Sequence, residues 1–351
     1  MKTHVLRFAM AMAAMAAVSE AYAQQTYLDR LPSEILDIAP PPERVAGDPG
    51  DMRVVSGACE SLPVAEARLR IVDVAAQEWA YFGFAVVDRT VPRGQFRTAG
   101  FGPANPAGQA GPRQRGRRGF GGPNPEEFAR LVPSIAGFWA ATPDGSWMLE
   151  RQNDASNTPR AGTRWRDPWS AAFISWVMCE AGLGNKSEFQ RSIAHRDYID
   201  QAIRARDGQD SRAAYVAYDV GEAEVRPGDL LCSGSRPDYR SIAQRRREMG
   251  EGARTHCDIV VRVDEAAGRF LTIGGNVGGT VSLKFFPAVR ARGEYLHPRD
   301  DVFAHLKLRG EPIEFEALDN SPTVRALGCA PGFRAPTQLA SVRLPAPAAF
   351  C

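Results

Sequence analysis

The chain has 351 residues, of which 44% are hydrophobic and 24% are charged, and its formal net charge is +2. This composition is typical of a globular protein with one large domain or two small ones. The nearly neutral charge gives no indication of a dedicated nucleic-acid-binding protein, so no nucleic-acid partner is expected. No membrane anchor is expected either, because no apolar run in the mature chain reaches the roughly 18 residues that a membrane-spanning helix needs.

The first 23 residues are predicted to be a signal peptide. A basic start, MKTHVLR, precedes the apolar stretch FAMAMAAMAAV, which is too short to cross a bilayer. Ala21 and Ala23 then form an A-x-A cleavage site, and no cysteine follows the cut to carry a lipid. The mature protein is therefore predicted to be periplasmic or secreted after cleavage near Ala23.

The mature chain divides by composition. Residues 24–58 are Pro-rich and predict an N-terminal linker, and residues 311–351 predict a C-terminal tail. Residues 59–310 predict one domain, which opens with the helical pattern AEARLRIVDVAAQEWAYF. An insertion at 92–124 is rich in Gly, Pro and Arg and cannot bury a core, so it is predicted to be disordered. Its arginines are expected either to face solvent or to contact acidic polymers or nucleic acid.

Three more helical patterns follow, namely PEEFARLVPSIAGFWAAT, RWRDPWSAAFISWVMCEAGLG and SEFQRSIAHRDYIDQAIRAR. In the second pattern Asp167 is a candidate cap, Pro168 suits the first helical position, and Gly182 or Gly184 can end the helix. Five short apolar strands come next, beginning with RPGDLLCSG and ending with DVFAHLKLRG. Helices followed by a meander of strands predict an α+β fold.

The six cysteines all lie after the predicted cleavage site, where an oxidising compartment favours disulfides. Cys329 and Cys351 bracket a tail with little else to hold it and form one candidate pair. Cys232 and Cys257 form another if their strands are neighbours, and free buried thiols are the alternative. The sequence has no C-x-x-C motif and no histidine with a partner at metal-ligand spacing, so neither a metal nor another cofactor is expected.

Three polar residues are candidates for catalysis: Ser170, His256 and Asn276. Ser170 lies in the first turn of a helix, where the helix dipole and free N–H groups favour developing negative charge. His256 on a strand can accept the serine proton, and Asn276 on the next strand can orient the imidazole. Each residue also has a purely structural alternative. Ser170 can satisfy N–H groups of the first turn, His256 can be a hydrogen-bonded strand residue, and Asn276 can be a turn residue.

Several motifs resemble those of the CHAP amidases and NlpC-type peptidases, which are papain-like cell-wall hydrolases. PWSAAFISWVMCEAG is similar to their nucleophile helix, RPGDLLC to their first strand, THCDIVV to the strand with the catalytic histidine, and GGNV to the strand with the third polar residue. The whole set resembles the domain-of-unknown-function family 2272 over about residues 65–308. The resemblance implies a papain-like fold, with helices packed on a small antiparallel β-barrel or sheet.

The resemblance also implies that Ser170 stands where the CHAP and NlpC-type enzymes carry a catalytic cysteine. A serine hydroxyl does not ionise as a thiol does, and it needs neutral His256 as a general base. Asn276 carries no charge to stabilise the resulting imidazolium. Asp258 lies two residues from His256 on the same strand face and is a candidate for that role. Trp169 is expected to form a wall of the substrate cleft.

The loop 233–254 joins the first two predicted strands and contains Arg245, Arg246 and Arg247. These arginines are expected to bind substrate carboxylates if the loop approaches the cleft, and to face solvent otherwise. The leading hypothesis is an exported hydrolase that cleaves an amide or peptide bond, with peptidoglycan as its expected partner. The alternative is a catalytically inactive papain-like module that binds cell-wall peptides or a partner protein.

Overall fold

The computed structural model describes residues 27–91, 98–99, 125–158, 165–290, 295–299 and 301–327. The predicted signal peptide, most of the predicted insertion and the tail beyond residue 327 lie outside these ranges. The candidate pair Cys329 and Cys351 therefore also lies outside the described residues. Within the described ranges, no helix is both long enough and apolar enough to cross a membrane.

Most of the helices precede most of the strands, as the sequence predicts. They are α1 (Ser33–Leu36), α2 (Ala67–Tyr81), α3 (Pro125–Ala140), α4 (Gly145–Ser156), α5 (Ser170–Glu180), α6 (His195–Arg206), α7 (Ile242–Arg246), α8 (Ala317–Asn320) and α9 (Pro322–Ala326). Two 3-10 turns, Pro41–Arg44 and Val64–Glu66, lie in the N-terminal part.

The strands form one large sheet and one small one. They are β1 (Val45–Ala46), β2 (Arg53–Val54), β3 (Ala85–Asp88), β4 (Thr98–Ala99), β5 (Tyr215–Tyr218), β6 (Leu230–Arg236), β7 (Arg254–Asp264), β8 (Arg269–Val277), β9 (Thr280–Val289), β10 (His297–Pro298) and β11 (Ala304–Leu308). β1 pairs with β2, and the large sheet has the order β4-β3-β9-β8-β7-β6-β11-β5, with β10 paired to the end of β9.

The large sheet confirms the predicted α+β class but does not close into a barrel. Its neighbours are antiparallel except for β3 and β9, which run parallel, and β4 and β5 form the two edges. β3 and β5 were not predicted, because each has only four residues and a stretch that short carries little periodic signal.

Helix α5 lies at the centre of the fold. It packs on β7 and β8 and also contacts α2 and α3. Every residue from Ala171 to Glu180 is buried, so this helix is enclosed around its whole circumference, as expected of a core helix. Gly182, with φ of +87°, follows its last turn as the sequence predicts. The first turn of α5 is therefore held rigidly from several sides.

The segment predicted to be an N-terminal linker packs on the domain instead. Its side chains Leu36, Ile38 and Met52 join the main hydrophobic core. Arg44 is buried and makes a 2.6 Å ion pair with Glu180 at the end of α5. Cys59 forms a disulfide with Cys179 of α5, a pair that the sequence did not single out. Pro-rich composition alone did not reveal these contacts, because they are made with residues more than a hundred positions away.

The first part of the predicted C-terminal tail is also structured. α8 and α9 pack against α2, and Leu318 and Val324 are buried there. Glu311 N–H donates to Ala65 O, which ties this segment to the turn before α2. The domain therefore extends on both sides of the predicted limits of 59 and 310.

Candidate functional site

Ser170 is the first residue of α5 and is only partly buried. Asp167 does not cap the helix, because its carboxylate binds Arg151 at 3.1 and 3.2 Å. The first intrahelical bond runs from Phe173 N–H to Trp169 O at 3.0 Å. Among the described residues, the N–H groups of the first turn before Phe173 have no recorded protein acceptor, which is the usual state of a helix start. Ser170 Oγ thus lies at the positive end of the α5 dipole.

The hydroxyl of Ser170 is hydrogen-bonded to His195, with Oγ 2.7 Å from Nε2. His195 is the first residue of α6 and is almost fully buried. The helix begins there because the Ser192 hydroxyl accepts from Ala194 N–H at 3.1 Å and donates to Asp197, which builds a turn just before it. The sequence predicted His256, and not His195, as the partner of Ser170.

The other nitrogen of His195 has two polar neighbours. Cys257 N–H on β7 donates to Nδ1 at 3.2 Å, and the Tyr198 hydroxyl also contacts Nδ1. Burial, reinforced by the nearby His256, places the pKa of His195 well below its ordinary value of 6.5. Burial likewise raises the pKa of Tyr198 well above its ordinary value. The imidazole and the phenol are therefore both neutral at physiological pH.

His256 on β7 lies beside this pair, with its ring centroid 5.1 Å from that of His195. Its Nε2 is 2.9 Å from Asp258 Oδ1 and 2.9 Å from Lys284 Nζ. Lys284 on β9 also donates to Asp258 Oδ2 at 2.8 Å. Nε2 can either donate to Asp258 or accept from Lys284, but one nitrogen cannot do both. The choice between the two contacts fixes which nitrogen of His256 carries the proton.

The three groups perturb one another. Burial would raise the pKa of Asp258, but attraction to His256 and Lys284 outweighs it, so the pKa lies well below the ordinary value. Burial lowers the pKa of Lys284 and outweighs the attraction of Asp258. Burial also lowers the pKa of His256, against the opposing effect of Asp258. His256 keeps 26% of its side chain exposed, whereas Asp258 keeps only 3%, so the imidazole is the accessible member.

The two glycines of the GGNV motif make room for this cluster. A Cβ on Gly274 would lie 1.9 Å from Asp258 Oδ1 and 3.2 Å from His256 Nε2. A Cβ on Gly275 would lie 2.5 Å from Phe173 Cβ, on the first turns of α5. Strand β8 therefore needs both glycines for close packing.

Within the described residues, Asn276 makes no hydrogen bond to His256. It has φ of +56° and lies where the register of β8 and β9 shifts. A residue in the left-handed region at a bulge no longer follows the strand alternation that the prediction assumed. Asp258 and Lys284, and not Asn276, are the groups that bind the imidazole of His256.

Trp169 is 1% exposed and packs against Phe82 and Phe138, each with ring centroids 5.9 Å from its own. The prediction that it forms a wall of an open cleft does not match this burial. Trp169 instead anchors the start of α5 in the hydrophobic core, directly before Ser170. The sequence could not reveal this, because a tryptophan beside a helix start is compatible with either environment.

The predicted substrate-binding arginines mostly stabilise the fold. Arg245 is fully buried and makes two 2.7 Å hydrogen bonds with Asp200 of α6. Arg246 makes a similar pair of contacts with Asp207 at 2.8 and 2.9 Å. Arg247 is exposed. The basic loop therefore docks on α6, the helix that begins with His195, and the acidic side chains it meets belong to this chain.

A disulfide joins Cys232 on β6 to Cys257 on β7, the pair that the sequence proposed. The two residues lie directly opposite each other in the ladder, with Cα atoms 4.1 Å apart, and both are fully buried. The bridge fixes the backbone between His256 and Asp258. It also fixes the N–H group that binds His195.

Sequence reasoning missed His195, Tyr198 and Lys284. The helical pattern from 187 to 206 placed His195 in mid-helix, whereas the true helix begins at that residue. Lys284 stands inside the apolar run TVSLKFFP, and a lone lysine in such a run was the available signal. In the described part of the chain, no group of three or more His, Cys, Asp or Glu residues is arranged to bind a metal.

Comparison with known proteins gives one informative result. Neither the curated proteins nor the solved structures contain a significant match. The model of one bacterial family matches residues 130–308, just over half of the chain, and this range includes Ser170, His195, His256 and Lys284. The chain belongs to that family, which is described as an uncharacterized protein conserved in bacteria, DUF2272.

Proposed function

We propose that the chain is an exported hydrolase that cleaves an amide or peptide bond of peptidoglycan through an acyl-enzyme on Ser170. One observation carries the proposal: a serine at the start of a rigid helix meets an imidazole at 2.7 Å, and a second imidazole bonded to a buried carboxylate lies next to the first. A nucleophile, a base and a charge that stabilises the protonated base are the parts that acyl transfer needs.

The proposed reaction has two steps. Ser170 Oγ bonds to the substrate carbonyl carbon while its proton passes to His256, and the C–N bond then breaks as His256 returns that proton to the leaving amine. Water next attacks the acyl-enzyme, gives a proton to His256, and releases a carboxylic acid while Ser170 recovers its hydrogen. The free N–H groups of the first turn of α5 are suited to the oxyanion of both intermediates. Asp258 stabilises the imidazolium at Nε2.

The arrangement supports a papain-like relationship of the CHAP or NlpC type, with a buried nucleophile helix packed on an antiparallel sheet. The proposed compartment follows from two features. The N-terminal sequence predicts a signal peptide, and the two disulfides, Cys59–Cys179 and Cys232–Cys257, fit an oxidising compartment. Peptidoglycan is the amide-rich polymer present there.

A second candidate function is a non-catalytic module that binds cell-wall peptides in the same groove. The observation that favours it is the presence of a hydroxyl where the related enzymes have a thiol. That hydroxyl is hydrogen-bonded to a neutral imidazole and does not ionise. The site therefore lacks the standing thiolate–imidazolium pair that a cysteine would form there.

The experiment uses purified mature protein on peptidoglycan, with release of soluble fragments and labelling by a fluorophosphonate probe as readouts. We expect release and labelling by the wild type, and neither by Ser170→Ala. Ser61→Ala is the matched control, because Ser61 is exposed and pairs with Leu183 just beyond the opposite end of α5. Release by Ser170→Cys alone would show that the wild-type hydroxyl is inactive. Retention on peptidoglycan without release by either protein would favour the binding module.

A further inference from the structure

The two histidines of the site differ in which nitrogen is available. At His195, the Cys257 N–H group donates to Nδ1, and the Tyr198 hydroxyl contacts the same nitrogen. His256 has both recorded contacts at Nε2, with Asp258 and Lys284. Among the described residues, no hydrogen bond is recorded at Nδ1 of His256. The two rings are therefore held through opposite nitrogens, His195 through Nδ1 and His256 through Nε2.

We propose that His195 is a catalytic hydrogen-bond donor to the Ser170 hydroxyl oxygen, held in this role by Tyr198 and the Cys257 N–H group, and that His256 alone is the base. The assignment rests on the proposed hydrolase function. It makes His195 a second functional histidine, which donates a hydrogen bond to Ser170, whereas His256 accepts the proton of Ser170.

The tautomer of His195 follows from its contacts. An imidazole nitrogen that accepts a hydrogen bond carries no hydrogen, so the Cys257 N–H group, which can only donate, requires the proton of the neutral ring to be on Nε2. The 2.7 Å contact between Nε2 and Ser170 Oγ is then a donation from His195 to the serine. A nitrogen that already carries a proton cannot accept another one, which excludes His195 as the base for Ser170.

The surroundings of His195 keep it neutral. The titratable groups that face it are Tyr198 on its own helix, His256 and Asp258 on β7, and Lys284 on β9. The negative charge of Asp258 is already paired with Lys284 at 2.8 Å, so it does not compensate a second buried cation. Protonation of His195 would also force its Nδ1 hydrogen against the Cys257 N–H group. The donor state therefore persists throughout the working pH range.

The donation has a chemical consequence. Ser170 Oγ accepts from His195, so its own hydrogen must point in another direction. His256 is the neighbouring imidazole, and its Nδ1 can accept a proton when its Nε2 donates to Asp258. As that proton leaves for Nδ1 of His256, negative charge grows on Oγ, and the Nε2–H group of His195 stabilises it. The His195 hydrogen bond thus stabilises the serine oxygen in the transition state. A cysteine thiolate would already be stabilised in this way before the reaction begins.

The cross-strand disulfide contributes to positioning. Cys232 and Cys257 lie directly opposite each other, so the bridge fixes the register of β6 and β7 at the residue whose N–H group binds His195. A shift of one residue would remove that donor and turn His256 to the other face of the sheet. Tyr198 and Cys257 are thus positioning residues that act through His195.

The first test measures the tautomer directly and does not depend on activity. Nitrogen NMR of the full chain labelled with ¹⁵N-histidine should give His195 an unprotonated Nδ1 and a protonated Nε2, constant from pH 5 to pH 8, with the signals assigned by their loss in His195→Gln. The same pattern should persist in Ser170→Ala, because the Cys257 N–H donor at Nδ1 remains. A protonated Nδ1, or a titration within this range, would overturn the proposal.

The second test compares two variants on the wild-type substrate. His195→Gln keeps a side-chain N–H donor but cannot act as a base, so it should retain kcat within about tenfold, whereas His195→Ala should lose about a hundredfold in kcat with little change in KM. Equal, complete losses in both variants would assign the base to His195 and refute the proposal. An inactive wild type with the expected tautomer would refute the hydrolase function while leaving the donor geometry intact.

Discussion

Within the described part of the chain, two clusters have an aspartate that binds a histidine and a basic residue, and they differ in accessibility. Asp229 binds His305 at 2.8 Å and Arg68 at 2.7 Å, and Asp258 binds His256 at 2.9 Å and Lys284 at 2.8 Å. In the first cluster all three side chains are at most 2% exposed. In the second, the histidine reaches the surface and neighbours the Ser170–His195 pair.

The Asp229 cluster shows that the Pro-Gly-Asp motif of the RPGDLLC pattern, residues 227–229, has a structural role. The carboxylate also accepts from the N–H groups of Arg226 and Leu308, at 2.9 and 3.0 Å. Arg68 in turn donates to Pro227 O and Leu308 O, each at 2.6 Å. Gly228 has φ of +88°, and a Cβ there would lie 2.7 Å from Arg68 Cγ, so the turn needs glycine. An aspartate–histidine pair alone is therefore no indication of catalysis, and access to a nucleophile separates the two clusters.

The largest expected effect is on stability, from Asp229→Ala. Removing this carboxylate leaves a buried guanidinium without its only carboxylate partner among the described residues, so the free energy of unfolding should fall by about 3–5 kcal/mol. Urea denaturation followed by circular dichroism measures it. Asp238→Ala is the control, because that residue forms an exposed pair with Arg240 and should change stability by less than about 1 kcal/mol. Equal losses of unfolding free energy in the two variants would show that the buried Asp229 cluster stabilises the fold no more than an exposed ion pair does.

The matched histidine variants should give opposite results. His256→Ala should lower kcat/KM by roughly 10²–10⁴-fold, because a general base is lost, and should change the free energy of unfolding by less than about 1 kcal/mol. His305→Ala should destabilise by about 2–4 kcal/mol and leave the activity of the folded fraction unchanged. Hydrolysis assays and urea titrations on both proteins test this pair. A stability loss in His256→Ala as large as that in His305→Ala would contradict it.

The pH profile should separate the two neighbours of His256. Burial lowers the pKa of His256 below 6.5, and since the base must be neutral, activity should rise with pH along a limb below that value. Lys284 lowers this pKa and Asp258 raises it. Lys284→Gln should therefore move the limb of kcat/KM to higher pH by about one unit, and Asp258→Asn should move it to lower pH and reduce the maximum rate. Shifts in the same direction would show that the limb belongs to another group.

The smallest expected effect concerns Asp73 on α2, a partly buried carboxylate with one oxygen that has no hydrogen-bond partner. Burial raises the pKa of Asp73 to about 7. The folded state then holds a proton that the unfolded state has lost, so stability falls as pH rises from about 4 to 7. Asp73→Asn should raise the free energy of unfolding by roughly 1–3 kcal/mol at pH 8 and have little effect below about pH 4. A gain of the same size at both pH values would show that ionisation is not the cause.

Local sequence patterns predicted those features that depend on a few neighbouring residues. The apolar run of α5 and the glycine at its end are of this kind, as is the order of helices before strands. The Cys232–Cys257 pair could also be predicted from the sequence, because adjacent strands in a meander bring such residues together. In contrast, the sequence placed Asn276 beside His256 by strand alternation, and the bulge at that residue removes the alternation.

By itself, the sequence determined an α+β chain with a serine at the start of a buried helix and a histidine on a neighbouring strand. Only the tertiary structure decided that Ser170 meets His195, that Lys284 and Asp258 bind His256, and that Arg245 is buried against Asp200. The physical reason is that periodicity fixes which face of an element is buried. A 2.7 Å hydrogen bond instead depends on how two helices and a sheet are placed relative to one another, and contacts across 25 residues or more set that placement.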